Sequence, residues 1–229
     1  VAVRLFACRD ARSTPEWARE HVRLFPPLTI TGPFNPDLSP EFSDPLICLS
    51  DDFTREVNVL KPVRAGGTLI GDIDLMQSIV RNAGPYLAVF QTDKIAGDHA
   101  ETRLWPMMEA IQAIKDKMPL DRHEARKQEI IFSDGNPMYI SGPSIGNLQS
   151  KGFEFIRAEE VWIWQKGLLN QLKGRRGDFE RLGLDKLFCN SQGGYAIDMG
   201  GADQCADWHG QYSSGRINEW FVPCLKCGR

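Results

Sequence analysis

Two short stretches carry residue types that together could hold and cleave a phosphate ester. The first is Lys61-Pro62-Val63-Arg64-Ala65-Gly66-Gly67-Thr68, which follows an apolar run at Val57, Val59 and Leu60 and precedes a helical pattern. A strand, a glycine-bearing turn and a helix start present backbone N–H groups and a positive helix end to an anion. Gly66 and Gly67 would let the backbone close around phosphate oxygens, and the Thr68 hydroxyl is placed to bind Mg²⁺. The usual phosphate loop reads GxxxxGK[ST]. Here Pro62 stands at the first glycine and Gly67 at the lysine, so the pattern fails twice. A plain strand-to-helix turn that uses glycine for steric reasons is the alternative.

The second stretch is FEFIRAEE, residues 153–160, an apolar run closing on Glu159 and Glu160. An acid at the end of a strand can hold Mg²⁺ through water, and the next acid can polarise the water that attacks a γ-phosphate. Glu159 is one methylene longer than the aspartate usual at that place, which moves the carboxylate or demands another metal shell. A solvated helix start is the alternative reading. With strands between them, the two stretches can share the carboxyl edge of one parallel sheet, where α/β proteins bind ligands.

Other residues carry weaker signals. Cys224-x-x-Cys227 supplies two thiolates, half of a tetrahedral zinc site, and Cys205 with His209 has the spacing to complete it; plain thiols or a truncated zinc knuckle are the alternatives. Trp162-Ile163-Trp164 reads as packing before base stacking. Lys173-Gly174-Arg175-Arg176 reads as a solvated charged face, with contact to a DNA backbone as the sharper alternative. His21, His99 and His123 have no evident partner in the sequence and read as surface or satisfied structural histidines.

The elements that must position these groups follow from periodicity. Ser13-Thr14-Pro15-Glu16 has the grammar of a helix start, and the helix should run to about residue 24. An irregular, proline-rich segment follows to about residue 45 and should wrap a folded body. Then come a strand at 57–60, a helix over 69–80 and a buried strand at 86–90. A long helix over 92–117 should bend at Pro106. A hairpin should turn at Asp134-Gly135-Asn136-Pro137, and further strands are expected at 153–158 and 186–190. Such alternation implies an α/β domain with a mostly parallel sheet and helices on both faces.

Composition sets the outer limits. At 229 residues, 42% hydrophobic and 25% charged, the chain is that of an ordinary globular protein. A net charge of −3 excludes a molecule coated in positive charge but leaves room for a local basic groove. No apolar run approaches the roughly 18 residues that span a bilayer. The six cysteines are too scattered for a disulfide framework, and a reducing cytoplasm is expected.

The order and wording of these motifs resemble the ATPase domain of the large terminase subunit of tailed bacteriophages, in its lambda-type branch. That branch carries a variant phosphate loop with its lysine at the beginning. Lys61 matches that lysine, Arg64 the loop arginine, Gly66 the glycine and Thr68 the terminal hydroxyl. TRLWPMM (102–108), MYISGPSIGNLQSK (138–151), EFIRAEEV (154–161), FCNSQGG (188–194) and FVPCLKCG (221–228) resemble further family segments in the same order.

The resemblance implies a P-loop NTPase of the ASCE type. Residues 1–45 would form a helix and wrapping segment near an adenine pocket, where Trp17 and Phe34 fall. Residues 46–200 would be the ATPase core, and 201–229 an extension leading toward a nuclease domain that is not in this sequence. The implied reaction is hydrolysis of ATP with Mg²⁺, and no DNA cleavage by this chain is expected. Lys61 and the amides of residues 62–68 would hold the phosphates, and Arg64 would sense the γ-phosphate. Thr68 and Glu159 would organise Mg²⁺, Glu160 would position water, and Ser191 with Gln192 would couple hydrolysis to movement. Lys151 stands where the family carries an arginine offered to a neighbouring subunit; Arg157 or another arginine is the alternative for that role.

Implied partners are double-stranded DNA, the terminase small subunit and the portal of a procapsid, with no membrane. The working state would be a homo-oligomeric ring in the cytoplasm of an infected bacterium, the isolated domain being a monomer. Two rival readings remain: a helicase-like DNA translocase, and a non-hydrolysing nucleotide-binding assembly module. The second is favoured by the unusual residues at 67, 151 and 159.

Overall fold

The structure is a computed structural model and describes residues 12–81, 84–119, 125–126, 128–146, 151–192 and 206–219. Helix α1 (Thr14–His21) begins with a capping box: the Ser13 N–H and hydroxyl both donate to the Glu16 carboxylate, at 3.0 and 2.8 Å. It ends at His21, short of the expected residue 24. Val22 is extended, and β1 (Arg23–Leu24) pairs antiparallel with β2 (Gly32–Pro33), which draws Leu24 into the core. Two single 3₁₀ turns, Pro36–Leu38 and Pro40–Phe42, lead into α2 (Ser43–Ser50). Phe34 and Phe42 of this segment are buried, as are Leu46 and Leu49 of α2.

The main body alternates strand and helix. In chain order it holds β3 (Glu56–Leu60), α3 (Gly67–Val80), β4 (Tyr86–Val89) and α4 (Asp93–His99). Then come α5 (Trp105–Glu109), α6 (Gln112–Lys115), β5 (Ala125–Arg126), β6 (Glu129–Ile131), β7 (Pro137–Ser141) and β8 (Phe155–Glu159). It closes with α7 (Leu168–Lys173), α8 (Gly177–Glu180), β9 (Lys186–Ser191) and α9 (Ala206–Ser213). The single long helix over 92–117 is a chain of shorter ones. Pro106 cannot donate to the preceding turn, and a π-helical stretch at Ala100–Leu104 lies just ahead of it. The break itself falls at Ile111, where the backbone is extended (φ −99°, ψ 108°).

The seven-stranded sheet has the order β3-β9-β8-β4-β7-β6-β5. The first five strands are mutually parallel, and the expected hairpin adds β6 and β5 antiparallel at one edge. Strand β9 therefore lies between β3, which leads into the glycine loop, and β8, which ends in the acids. Its register sets Ser191 beside Leu60 and Asn190 beside Glu159.

Side-chain alternation divides the sheet into two apolar layers. Tyr86, Ala88, Phe155 and Phe188 belong to the larger core, with Ile70, Ile73 and Met76 of α3. Leu87, Val89, Ile156, Ala158, Leu187 and Cys189 face a second core closed by Trp164, Leu168, Leu172 and Trp208. The same period of two places Arg157, Glu159 and Asn190 on the α3 side. Helix α9 seals the β3 edge, where Gln211 donates to Glu56 at 2.7 Å and to Asn58 at 3.2 Å. Among the described residues no helix is long and apolar enough to cross a membrane.

Candidate active site

The glycine loop leaves β3 with the Lys61 N–H donating to the Ser191 carbonyl at 3.0 Å. Gly66 caps α3 in the left-handed region (φ 75°), and the Phe42 ring fills the place a Cβ would take. Gly67 is closed in from two sides. A Cβ there would meet the Asn190 side-chain amide and come 2.6 Å from Lys61 Cδ. The stem of Lys61 thus crosses the position where the usual loop carries its lysine. A side chain at 67 would have to displace the Lys61 stem or the Asn190 amide.

Two adjacent acids meet this loop with different partners. Thr68 Oγ1 donates to Glu159 Oε2 at 3.1 Å across 91 positions of sequence, and Asn190 Nδ2 donates to the same oxygen at 2.9 Å. Glu160 adopts a left-handed backbone (φ 51°, ψ 49°), which turns its carboxylate away from that of Glu159. Its Oε1 lies 2.7 Å from Lys61 Nζ, an ion pair only 9% and 17% exposed at its two side chains. Its Oε2 accepts from Trp162 Nε1 at 3.0 Å and from the Gln192 N–H at 3.3 Å. Ser191 Oγ in turn accepts from the Trp162 N–H at 3.1 Å. Gln192 thus bonds Glu160 directly, and Ser191 connects to it through Trp162.

Beneath Glu159 lies a buried charge cluster. Arg157, fully enclosed, donates from Nε to Glu159 Oε1 at 2.6 Å. Its two terminal nitrogens reach Asp72 Oδ1 at 2.5 Å and the Thr68 carbonyl at 2.7 Å. Asp72 also bonds His99 Nε2 at 2.8 Å. Burial pushes the Asp72 carboxyl up, but the charges of Arg157 and His99 outweigh it and hold the group at about 2. Burial works against the Arg157 cation as well, and Asp72 and Glu159 reverse it, leaving the guanidinium more firmly protonated than usual. A cleft of about 350 Å³ opens beside these groups, with Thr68 and Glu159 on one wall and Asp98, His99, Thr102 and Arg103 on another.

Several expectations change here. Arg157 has no exposed surface and cannot be the arginine offered to a neighbouring subunit. Lys151 is exposed, and its ammonium sits 3.5 Å over the Tyr139 ring. Arg64 is exposed, with a positive φ of 63°, beside the exposed Pro62 and Val63; Ala65 is half-buried. His99 is a satisfied structural histidine, one of its two expected readings: it bonds Asp72 and stacks on Phe90 with ring centres 4.7 Å apart. The 173–176 stretch is not a uniformly solvated face. Arg176 is buried against Asp185 and Glu56, and Lys173 bonds Gln211 at 2.8 Å. Trp17 and Phe34 are core residues with almost no free surface, so neither presents a ring for adenine to stack on. Trp164 packs as expected and donates to the Glu159 carbonyl at 3.1 Å. His209 is exposed on α9, whereas Cys205, Cys224, Cys227 and His123 lie outside the described residues.

Asp72, Asn190 and the Arg157 clamp were missed in the sequence. The alternation of Phe155, Arg157 and Glu159 was the signal available for the last, since it puts a charge on a core-facing strand position.

The site suits Mg²⁺ by the chemistry of its donors. A hydroxyl and a carboxylate oxygen converge at 3.1 Å, and the Asn190 Oδ1 next to them is buried without a hydrogen-bond partner. Hard oxygen donors with one carboxylate match a cation that draws its other ligands from water and phosphate. Among the described residues no cluster of three or more His, Cys, Asp or Glu could enclose a metal.

A glycine loop joining strand to helix, acids two strands away and a strand between them that ends in Asn190 and Ser191 define a P-loop NTPase. The chain belongs to the family of the phage terminase large subunit gpA: residues 29–229 match the family model of its ATPase domain. It is thus an ATPase domain of the viral DNA-packaging type. No curated protein matches the chain.

Proposed function

We propose that this domain hydrolyses ATP in a Mg²⁺-dependent reaction built from Lys61, Thr68, Glu159 and Glu160. The observation that supports it most directly is their convergence at the carboxyl edge of the sheet: the loop cation on one acid, the loop hydroxyl on the other. The amides of Gly67 and Thr68 at the start of α3 receive phosphate oxygens together with the Lys61 ammonium. Mg²⁺ held by Thr68 and Glu159 would supply charge neutralisation at those oxygens.

Once Lys61 turns to phosphate, Glu160 is released from its ion pair, and its Oε1 is free to orient the attacking water and accept its proton. The other oxygen stays on Trp162 and the Gln192 amide, so the carboxylate keeps its direction. Ser191 and Gln192 sense the change through these bonds and pass it along β9. Arg64, exposed beside the loop, reaches the γ-phosphate, and Lys151 serves a neighbouring copy in a ring around double-stranded DNA. The small subunit and the procapsid portal complete the machine in the host cytoplasm, with Cys224 and Cys227 as half of a zinc site.

Steady-state ATP turnover with DNA and procapsid present tests the core of this reading. Glu160→Gln and Lys61→Ala should each lower turnover by about a hundredfold or more. Unchanged turnover in both would remove the site from the reaction.

A further inference from the structure

We propose that Arg157 is a positioning residue that fits the longer Glu159 to a place usually held by aspartate, by tying together the two groups assigned to Mg²⁺. The inference rests on that assignment of Thr68 and Glu159. One guanidinium reaches both: Nε bonds the Glu159 carboxylate at 2.6 Å, and a terminal nitrogen bonds the Thr68 carbonyl at 2.7 Å. A planar fork can fix three acceptors at set angles, which an ammonium cannot.

The surroundings are shaped to hold that fork. Its third direction ends on Asp72 at 2.5 Å, and the Phe90 ring lies 5.1 Å from the guanidinium carbon. Helix α3 passes close enough that a Cβ on Gly71 would come 2.5 Å from Arg157 Nε. Asp72 is itself held by His99 on the cleft wall.

Glu159 is thus gripped on both oxygens, by Arg157 on Oε1 and by Thr68 and Asn190 on Oε2. An aspartate at 159 would draw the carboxylate back by one methylene and could not span these partners. Restoring the usual residue should therefore weaken the site.

The test measures Mn²⁺ affinity by electron paramagnetic resonance, with a non-hydrolysable ATP analogue, and the Mg²⁺ half-saturation of ATP turnover. Wild type, Glu159→Asp and Arg157→Lys are compared in the intact chain. Both substitutions should raise the metal concentration needed by about tenfold or more, as loss of an orienting partner does. A purely structural role for Arg157 would reduce the folded fraction and leave half-saturation unchanged. If Arg157→Lys does not fold, Glu159→Asp alone decides. Metal affinity in Glu159→Asp equal to or tighter than wild type overturns the proposal. Wild type with no metal-dependent nucleotide binding overturns instead the assignment of the site beneath it.

Discussion

The Lys61 ammonium rests 2.7 Å from Glu160 Oε1, so the cation of the phosphate loop and the acid assigned to water neutralise each other across 99 positions of sequence. In the proposed reaction, ATP competes with Glu160 for Lys61. Glu160→Gln removes that competitor while keeping the shape of the side chain. Nucleotide should then bind more tightly, by up to about tenfold, the worth of one charge-assisted hydrogen bond. Calorimetric titration with a non-hydrolysable analogue measures it, and weaker binding would contradict the pairing as a brake on ATP.

Gly67→Lys restores the common loop sequence and should nonetheless damage the protein. The new side chain would enter space held by Asn190 and the Lys61 stem. Overpacking of this kind costs about 1–3 kcal/mol. Thermal melting and ATP turnover should both fall, and Lys61→Ala in the same chain should relieve part of the stability loss. A Gly67→Lys protein as stable and active as wild type would show that the loop has room for both lysines.

Arg176 belongs to the fold and not to a nucleic-acid surface. Arg176→Ala leaves Asp185 and Glu56 without their buried cation, which should cost about 3–5 kcal/mol in urea denaturation. The salt dependence of DNA binding by the folded protein should stay unchanged. A shallower salt slope would mean that Arg176 meets phosphate after all.

Asp74 makes stability depend on pH with an unusual sign. Burial pushes its carboxyl from 3.8 up to about 7, against the pull of Lys186, Arg81 and Arg157. The folded state therefore holds this proton more tightly than the unfolded chain. Its contribution is full below about pH 4 and is lost as pH rises through about 7. Asp72, held at about 2, acts in the opposite sense only below that window, as pH falls from its ordinary 3.8. Asp74→Asn should flatten the decline between about pH 4 and pH 8 and raise the melting temperature at the alkaline end. Melting curves across that range decide it: an identical pH profile in both proteins would exclude Asp74 as the source.

Much of the sheet was legible because its strands are short apolar runs with a period of two, bounded by turn residues. The acid pair and the glycine loop were visible for the same reason, as each closes such a run. What stayed hidden was non-local. Nothing near Gly67 in sequence says that Asn190 and the Lys61 stem will occupy its Cβ position. The end of α1 at His21 depends on pairing with Gly32–Pro33, and the partner of His99 sits on a different helix. Arg157 lay between these cases: its strand parity marked it as inward-facing, but only the fold supplies Asp72 and the Thr68 carbonyl.

The ring of Phe42 pressed against Gly66 bears on how this domain can be handled as a part. Phe42 precedes the first strand of the sheet, yet it forms the floor of the phosphate loop. A version begun at β3 would keep every motif and lose the surface against which the loop is moulded. The smallest transferable ATPase unit therefore starts ahead of Phe42, and cutting between motif and support would separate the recognisable sequence from the working shape.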